Sequence, residues 1–233
     1  MNAQVDVLEH VVIAVDGTSG SGKSSTCRAV ADRLGLRYLD TGAQYRAVTW
    51  WMLEQGVDVH DAAAVAARAG EPVLVSGTDP LAPTITVDGV DVSVQIRSDE
   101  VNAAVSPVSA VPEVRARLVA MQQAIIAPPG GRHGGIVVEG RDIGTVVWPQ
   151  AELKVYLTAD PAARAARRAL ENGGVDAASI AATRESLLAR DEIDSGRAVA
   201  PLTMADGAVH IDSTELTLDE VVDAVVGLVM ERR

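Results

Sequence analysis

Phenylalanine is absent from this chain of 233 residues, and three tyrosines with three tryptophans make up its whole aromatic complement. Few rings are therefore on hand to stack against a flat ligand. Cysteine occurs once, at Cys27, which excludes a disulfide or a cysteine-based zinc site within one chain and points to a small buried apolar role. Lysine occurs only as Lys23 and Lys154, the other 18 of the 20 basic residues being arginine. No apolar run approaches the roughly 18 residues of a membrane span, and residues 1–10 are acidic where a secretion signal would be basic. A soluble cytoplasmic protein is expected. The net charge of −12 repels a polyphosphate backbone, so no nucleic-acid partner is expected and a single nucleotide would have to be met by local arginines. What is present, 48% hydrophobic and 22% charged residues, suffices for one large α/β domain with insertions.

Strand-like runs recur at 11–15, 37–39, 136–138, 153–157 and 208–211, mostly with helical patterns between them, as in a parallel sheet covered by helices. Leu218, Val221, Val222, Val225, Leu228 and Val229 form the apolar stripe of a closing helix. Residues 84–94 break the series: they alternate apolar and polar around Asp88-Gly89, a hairpin signal. The hairpin belongs to an insertion at 71–97 that is expected to protrude from the core, either to close over a substrate or as decoration.

The sharpest motif is Gly17-Thr18-Ser19-Gly20-Ser21-Gly22-Lys23-Ser24, which fits G-x-x-x-x-G-K-[ST] and sits between a strand-like run and a helical one that opens at Ser25. Its glycines let successive backbone amides turn toward one anion at the positive end of the following helix. Lys23 would reach the β/γ-phosphates of a nucleotide, and Ser24 offers a hydroxyl to Mg²⁺.

Arginines cluster elsewhere. Arg164, Arg167 and Arg168 follow Asp160-Pro161 at a spacing that stacks them on one helical face, which is either an anion-binding face or a solvated one. Arg190, Asp194 and Arg197 fall at i, i+4 and i+7, so the carboxylate lies between two guanidiniums; this suits a phosphate clamp or a surface ion-pair ladder. Glu139-Gly140-Arg141-Asp142 and Asp40-Thr41-Gly42-Ala43-Gln44-Tyr45-Arg46 each follow a strand, where open α/β sheets bind ligands. Glu139 could position the water shell of Mg²⁺. Two such ends beside a phosphate loop favour a site over scattered surface charge.

Together with the 13–17 strand end and Arg190-Asp191-Glu192-Ile193-Asp194-Ser195-Gly196-Arg197-Ala198-Val199-Ala200-Pro201-Leu202, these segments make the chain resemble the bacterial cytidylate kinases of the P-loop nucleoside monophosphate kinase group, over 13–213. The resemblance implies an α/β fold: a three-layer P-loop kinase core around a parallel sheet of about five strands, an antiparallel-sheet monophosphate-binding insertion and a helical lid. By that reading 1–40 and 98–233 form the core, 41–97 the monophosphate-binding domain with its insert at 71–97, and 160–174 the lid. The implied reaction passes the γ-phosphoryl of ATP to CMP or dCMP in pyrimidine nucleotide metabolism, in a chain acting as a monomer, without membrane or nucleic-acid partners.

The resemblance also assigns residues. Gly17, Thr18, Ser19, Gly20, Ser21, Gly22, Lys23, Ser24 and Ser25 would hold ATP, with Mg²⁺ at Ser24 and, through water, at Glu139. Arg46, Arg141 and Arg190 would meet phosphates, Asp194 the ribose, and Ser106, Arg115, Asp142 and Arg197 the cytosine, with Thr41 and Tyr45 also lining the acceptor. Lys23, Arg141, Arg164, Arg168 and Arg190 would be catalytic. Cytosine presents an N4 donor with N3 and O2 acceptors, which a carboxylate and guanidinium donors complement and which uracil reverses. Many relatives carry Asp at the position of Glu139 and Ser at that of Thr41; both exchanges keep the functional group. Another small acceptor (UMP, AMP or a hydroxy acid) is the alternative within kinases. A GTP-dependent switch would need an Asn-Lys-x-Asp motif, which is absent, and Asp32-x-x-Gly35 ends the phosphate-loop helix instead.

Overall fold

The computed structural model describes residues 10–127, 134–171, 176–196 and 202–232. Its centre is β1 (Val12–Gly17), an apolar strand with all six residues buried. It is flanked in a five-stranded parallel sheet of order β2-β6-β1-β7-β8 by β2 (Arg37–Asp40), β6 (Ile136–Glu139), β7 (Leu153–Thr158) and β8 (Val209–Asp212). Ile13 pairs with Val137 on one side and Leu153 on the other. All five runs read as strands from sequence are strands of this sheet.

Because successive strand residues face opposite ways, β1 feeds two cores. Ile13 and Val15 pack with Cys27, Val30 and Ala31 of α1 (Lys23–Leu34) and with Val221, Val222, Val225 and Val229 of α8 (Leu218–Glu231). Val12 and Ala14 pack on the other face with Val138, Ile143, Val147 and Ile126 of α5 (Pro112–Ile126). Cys27 is buried, as expected. A Thr217–Glu220 capping box opens α8.

A third core surrounds α2 (Thr41–Glu54), α3 (Ala62–Arg68) and α4 (Asp99–Ala110), under a separate antiparallel sheet of β3 (Leu74–Ser76), β4 (Ile85–Val87) and β5 (Val90–Asp91). The β4–β5 turn is the Asp88-Gly89 hairpin read from sequence, with positive φ at both residues (51° and 81°), as its tight turn requires. Two expectations need correction. The alternation through Val94 does not continue as strand: Asp91 accepts from the Ser93 amide, and the chain rolls into a 3₁₀ turn at Gln95–Arg97 that buries Val92 and Ile96 and leaves Val94 exposed. The insertion also does not simply protrude. Its 77–83 connection lies against the main domain, where Thr78 accepts from the Tyr38 amide at 2.9 Å and Arg28 of α1 donates to the carbonyls of Pro80 and Leu81 at 2.8 and 3.3 Å.

The described part of the expected lid is α6 (Pro161–Glu171), which leads toward α7 (Ala177–Ser195). No helix among the described residues is long and apolar enough to cross a membrane.

Candidate functional site

The carboxyl ends of β1, β2 and β6 open into a cleft of about 460 Å³ whose other wall is formed by α2, α4, α6, α7 and the small sheet. At its base, β1 runs through the 17–24 loop into α1. Gly17, at φ 147°, lies so close to β7 that a Cβ would fall 1.9 Å from the Leu157 carbonyl oxygen, and Gly22, at φ 88°, opens α1. Lys23 folds over the loop, its Nζ donating to the carbonyls of Gly17 at 2.9 Å and Thr18 at 2.6 Å. Burial, and then the neighbouring Arg141, pushes this ammonium below its ordinary pKa. A bound anion would relieve both effects.

Ser24 faces β6, its hydroxyl donating to Glu139 Oε2 at 3.0 Å, while Tyr38 donates to Glu139 Oε1. Thr41 donates to the Glu139 carbonyl at 2.7 Å. Burial and Asp40 raise the Glu139 carboxyl. The next residue, Gly140, leaves room for its neighbours: a Cβ there would fall 2.6 Å from the Ile143 side chain and 2.8 Å from the Thr41 hydroxyl, and both would have to shift. No group of three or more His, Cys, Asp or Glu among the described residues could hold a metal. A hydroxyl and one carboxylate in contact nonetheless fit Mg²⁺, which binds through one or two protein oxygens with waters and substrate phosphates.

Above this corner the cleft is lined with arginines. Arg46 donates to Asn102 at 2.6 Å and to the Ile96 carbonyl at 3.1 Å. Burial, then Arg168, with Arg97 and Arg141 adding to it, lowers its pKa to about 10. Arg141 bridges Asp194 at 2.9 Å and the Gly17 carbonyl at 2.9 Å. Four guanidiniums that repel one another around open space define a place for phosphate.

At the far end Arg115 and Asp142 form a buried ion pair, with the Arg115 guanidinium over the Tyr45 ring at 5.7 Å. Both line the cleft.

Of the residues singled out from sequence, Ser19, Gly20, Gly22, Lys23, Ser24, Ser25, Thr41, Tyr45, Arg46, Arg115, Glu139, Arg141, Asp142, Arg167, Arg168 and Asp194 line this one cleft. Gly17, Thr18, Ser21, Ser106 and Arg164 are not in its wall. Ser106 is buried on α4, and its backbone carbonyl accepts from the hydroxyl of Ser109, one helical turn along, which does line the cleft. Arg164 is buried behind the loop, donating to the carbonyls of Ala159 and Ser19 and to Asp191, which also accepts from the Ser19 amide at 3.1 Å. Arg167 donates to Ser213 and Thr214. Of the expected arginine face, Arg167 and Arg168 thus line the cleft, Arg167 while also bonded to the 213–214 segment, and Arg164 is turned on the loop behind it. The Arg190 side chain and Arg197 lie outside the described residues; Asp194 is paired with Arg141, from another element. Tyr38, Ser109 and Arg97 join the lining without having been read from sequence, and only the i, i+3 relation of Ser109 to Ser106 offered a signal.

Residues 13–231 match the family model described as cytidylate kinase. A Streptomyces griseus protein named cytidylate kinase is 59% identical over 96% of this chain and 94% of its own length. One of the same name from Streptomyces avermitilis is 56% identical over 100% of this chain and 98% of its own. Among solved structures, an uncharacterized protein from Eubacterium ventriosum aligns with TM-score 0.52 at 10% identity, covering 95% of this chain and 99% of that one, a likeness of fold alone.

Proposed function

The chain belongs to the cytidylate kinase family, and on that premise we propose that its cleft transfers the γ-phosphoryl group of ATP to CMP or dCMP, giving ADP and CDP or dCDP. The observation that carries this reading is one cleft holding a phosphate loop, mutually repelling arginines and, at its far end, a carboxylate–guanidinium pair.

The acceptor phosphate is already an anion, so transfer needs no general base and no covalent enzyme intermediate; catalysis is alignment and charge stabilisation. The 17–25 loop holds the ATP phosphates, with Lys23 leaving its carbonyl partners for the β/γ-phosphates. Ser24 and, through water, Glu139 would hold Mg²⁺, which would supply positive charge against the phosphates. Arg46 and Arg141 hold the CMP phosphate, assisted by Arg190. Arg141 and Arg168 stabilise the charge that spreads over the equatorial oxygens, and Arg164 braces the loop from behind.

Asp142 accepts from the cytosine N4 amino group and Arg115 donates to the N3–O2 edge, with Ser109 of α4 beside them and Asp194 on the ribose; the family resemblance adds Arg197 and Ser106 to the base contacts. Uracil would set its N3–H and O4 against partners of the wrong sense. Closure of the 160–174 lid and the 71–97 insert excludes the water that would otherwise take the phosphoryl group. The 41–97 segment is the acceptor-binding domain, and the enzyme acts as a cytoplasmic monomer.

Steady-state ADP release tests the phosphate assignment. Arg46→Ala should lower kcat/KM for CMP by about 100-fold while the KM for ATP changes less than ~3-fold. Equal losses toward both substrates would place Arg46 outside the acceptor site.

A further inference from the structure

The turn that carries Asp142 is capped from outside. Ile143–Val147 form a single π-helical turn whose N-cap is Asp142. An aspartate in that position ordinarily folds its carboxylate back onto the amides just along the chain, which otherwise lack partners. Asp142 makes no such bond, and its carboxylate is paired with Arg115 in the cleft. The amides are satisfied by Asp16 of β1 instead: Oδ1 accepts from Ile143 at 2.8 Å and Oδ2 from Gly144 at 2.8 Å. The Asp142 carbonyl accepts from the amides of Val146 and Val147 at 2.8 and 3.2 Å, so the turn closes without its side chain.

Asp16 is 3% exposed, lies outside the cleft wall and has no part in phosphoryl transfer as described. Burial raises its carboxyl to about 6, against the pull of the two amides. A buried carboxylate spent on two backbone amides needs a reason.

We propose that Asp16 is a positioning residue for base recognition: by capping the 143–147 turn from β1, it keeps the Asp142 carboxylate on Arg115 and in the cleft, where it reads the cytosine amino group. The inference rests on Asp142 as the base-reading group. Without Asp16, two buried amides lose their acceptor, and the nearest carboxylate along the chain is that of Asp142 itself, which could replace it once its backbone (φ −145°, ψ 26°) turned to the extended N-cap conformation. Folding back would take the acceptor out of the base site while leaving the phosphate loop in place.

Asp16→Ala, Asp142→Ala and the double variant test this through kcat/KM for CMP and UMP, ATP affinity by calorimetry, and melting curves. Asp16→Ala should lose about 30-fold in kcat/KM for CMP, with UMP turnover and ATP affinity changed less than ~3-fold, and the double variant should be no worse than Asp142→Ala. A retained CMP/UMP ratio in Asp16→Ala, an ATP affinity that falls in step, or losses that multiply in the double variant would overturn the proposal. If Asp142→Ala itself keeps the ratio, the base-reading assignment is at fault and the proposal falls with it. Should Asp16→Ala fail to fold, Asp16→Asn keeps the side-chain volume and one acceptor oxygen but turns an NH₂ group toward the second of the two amides. It should lower the CMP/UMP ratio several-fold, and an unchanged ratio would contradict the account.

Discussion

Burial lifts the Asp16 carboxyl from 3.8 to about 6, with Asp142 raising it further while the amides of Gly144 and Ile143 and the charge of Lys23 oppose the shift. A carboxyl whose folded pKa lies above its unfolded one contributes stability that is present below about 4 and lost as the pH rises through about 6. The shift corresponds to roughly 3 kcal/mol across that window. In the ligand-free protein, the stability advantage of the wild type over Asp16→Asn should therefore shrink between pH 4 and 6, as read by denaturant melts; a constant difference would contradict the shift. Gly17 makes the complementary case for shape. Gly17→Ala places a Cβ 1.9 Å from the Leu157 carbonyl at φ 147°, and should leave little folded protein in expression and melting assays. Gly17 was legible because eight contiguous positions share one motif. Asp16 was not, since a single acidic residue closing a strand has no local pattern to mark its partners 127 and 128 residues away. Asp142 was marked by its place at a strand's carboxyl end, whereas Arg115, and the role of both toward a base, became legible only through the family resemblance.

Each strand of the parallel sheet was marked by a strand-like run, mostly set between helical patterns, so element type followed from sequence. β3 was not, because Leu74–Ser76 is three residues long and becomes a strand only by pairing with β4. The hairpin shows why its tip was readable: Asp88 takes φ 51°, which its short polar side chain tolerates. That side chain then accepts from the Trp51 indole at 2.9 Å and from the Val73 amide at 2.8 Å, fastening the insertion to α2. Asp88→Ala should cost about 2 kcal/mol in urea unfolding, because both bonds go and alanine tolerates the conformation poorly. A change below ~0.5 kcal/mol would show that the hairpin is held by apolar packing alone. The arginines of α6 mark the limit of spacing arguments. Their common face was predicted correctly as a geometric fact, yet spacing does not say that the face meets carbonyls of the phosphate loop and the 213–214 segment.

The whole molecule concentrates its scarce positive charge. A chain of net charge −12 gathers Lys23, Arg46, Arg115, Arg141 and Arg168 around one cleft, where anions gain most from them. Which strands would converge on that cleft was legible from motifs at strand ends. How the 77–83 segment would lie on β2 and α1 was not, because a single exposed arginine, Arg28, and one backbone bond make that contact. The central claim is that this cleft matches a phosphate donor to an acceptor chosen by its cytosine edge. ADP release under Mg·ATP, with CMP, dCMP, UMP, AMP and GMP offered in turn, tests it most directly. The account predicts strong turnover with CMP or dCMP and at least ~100-fold lower kcat/KM with each of the others. Equal turnover with UMP, or ADP release that does not depend on any acceptor, would contradict it.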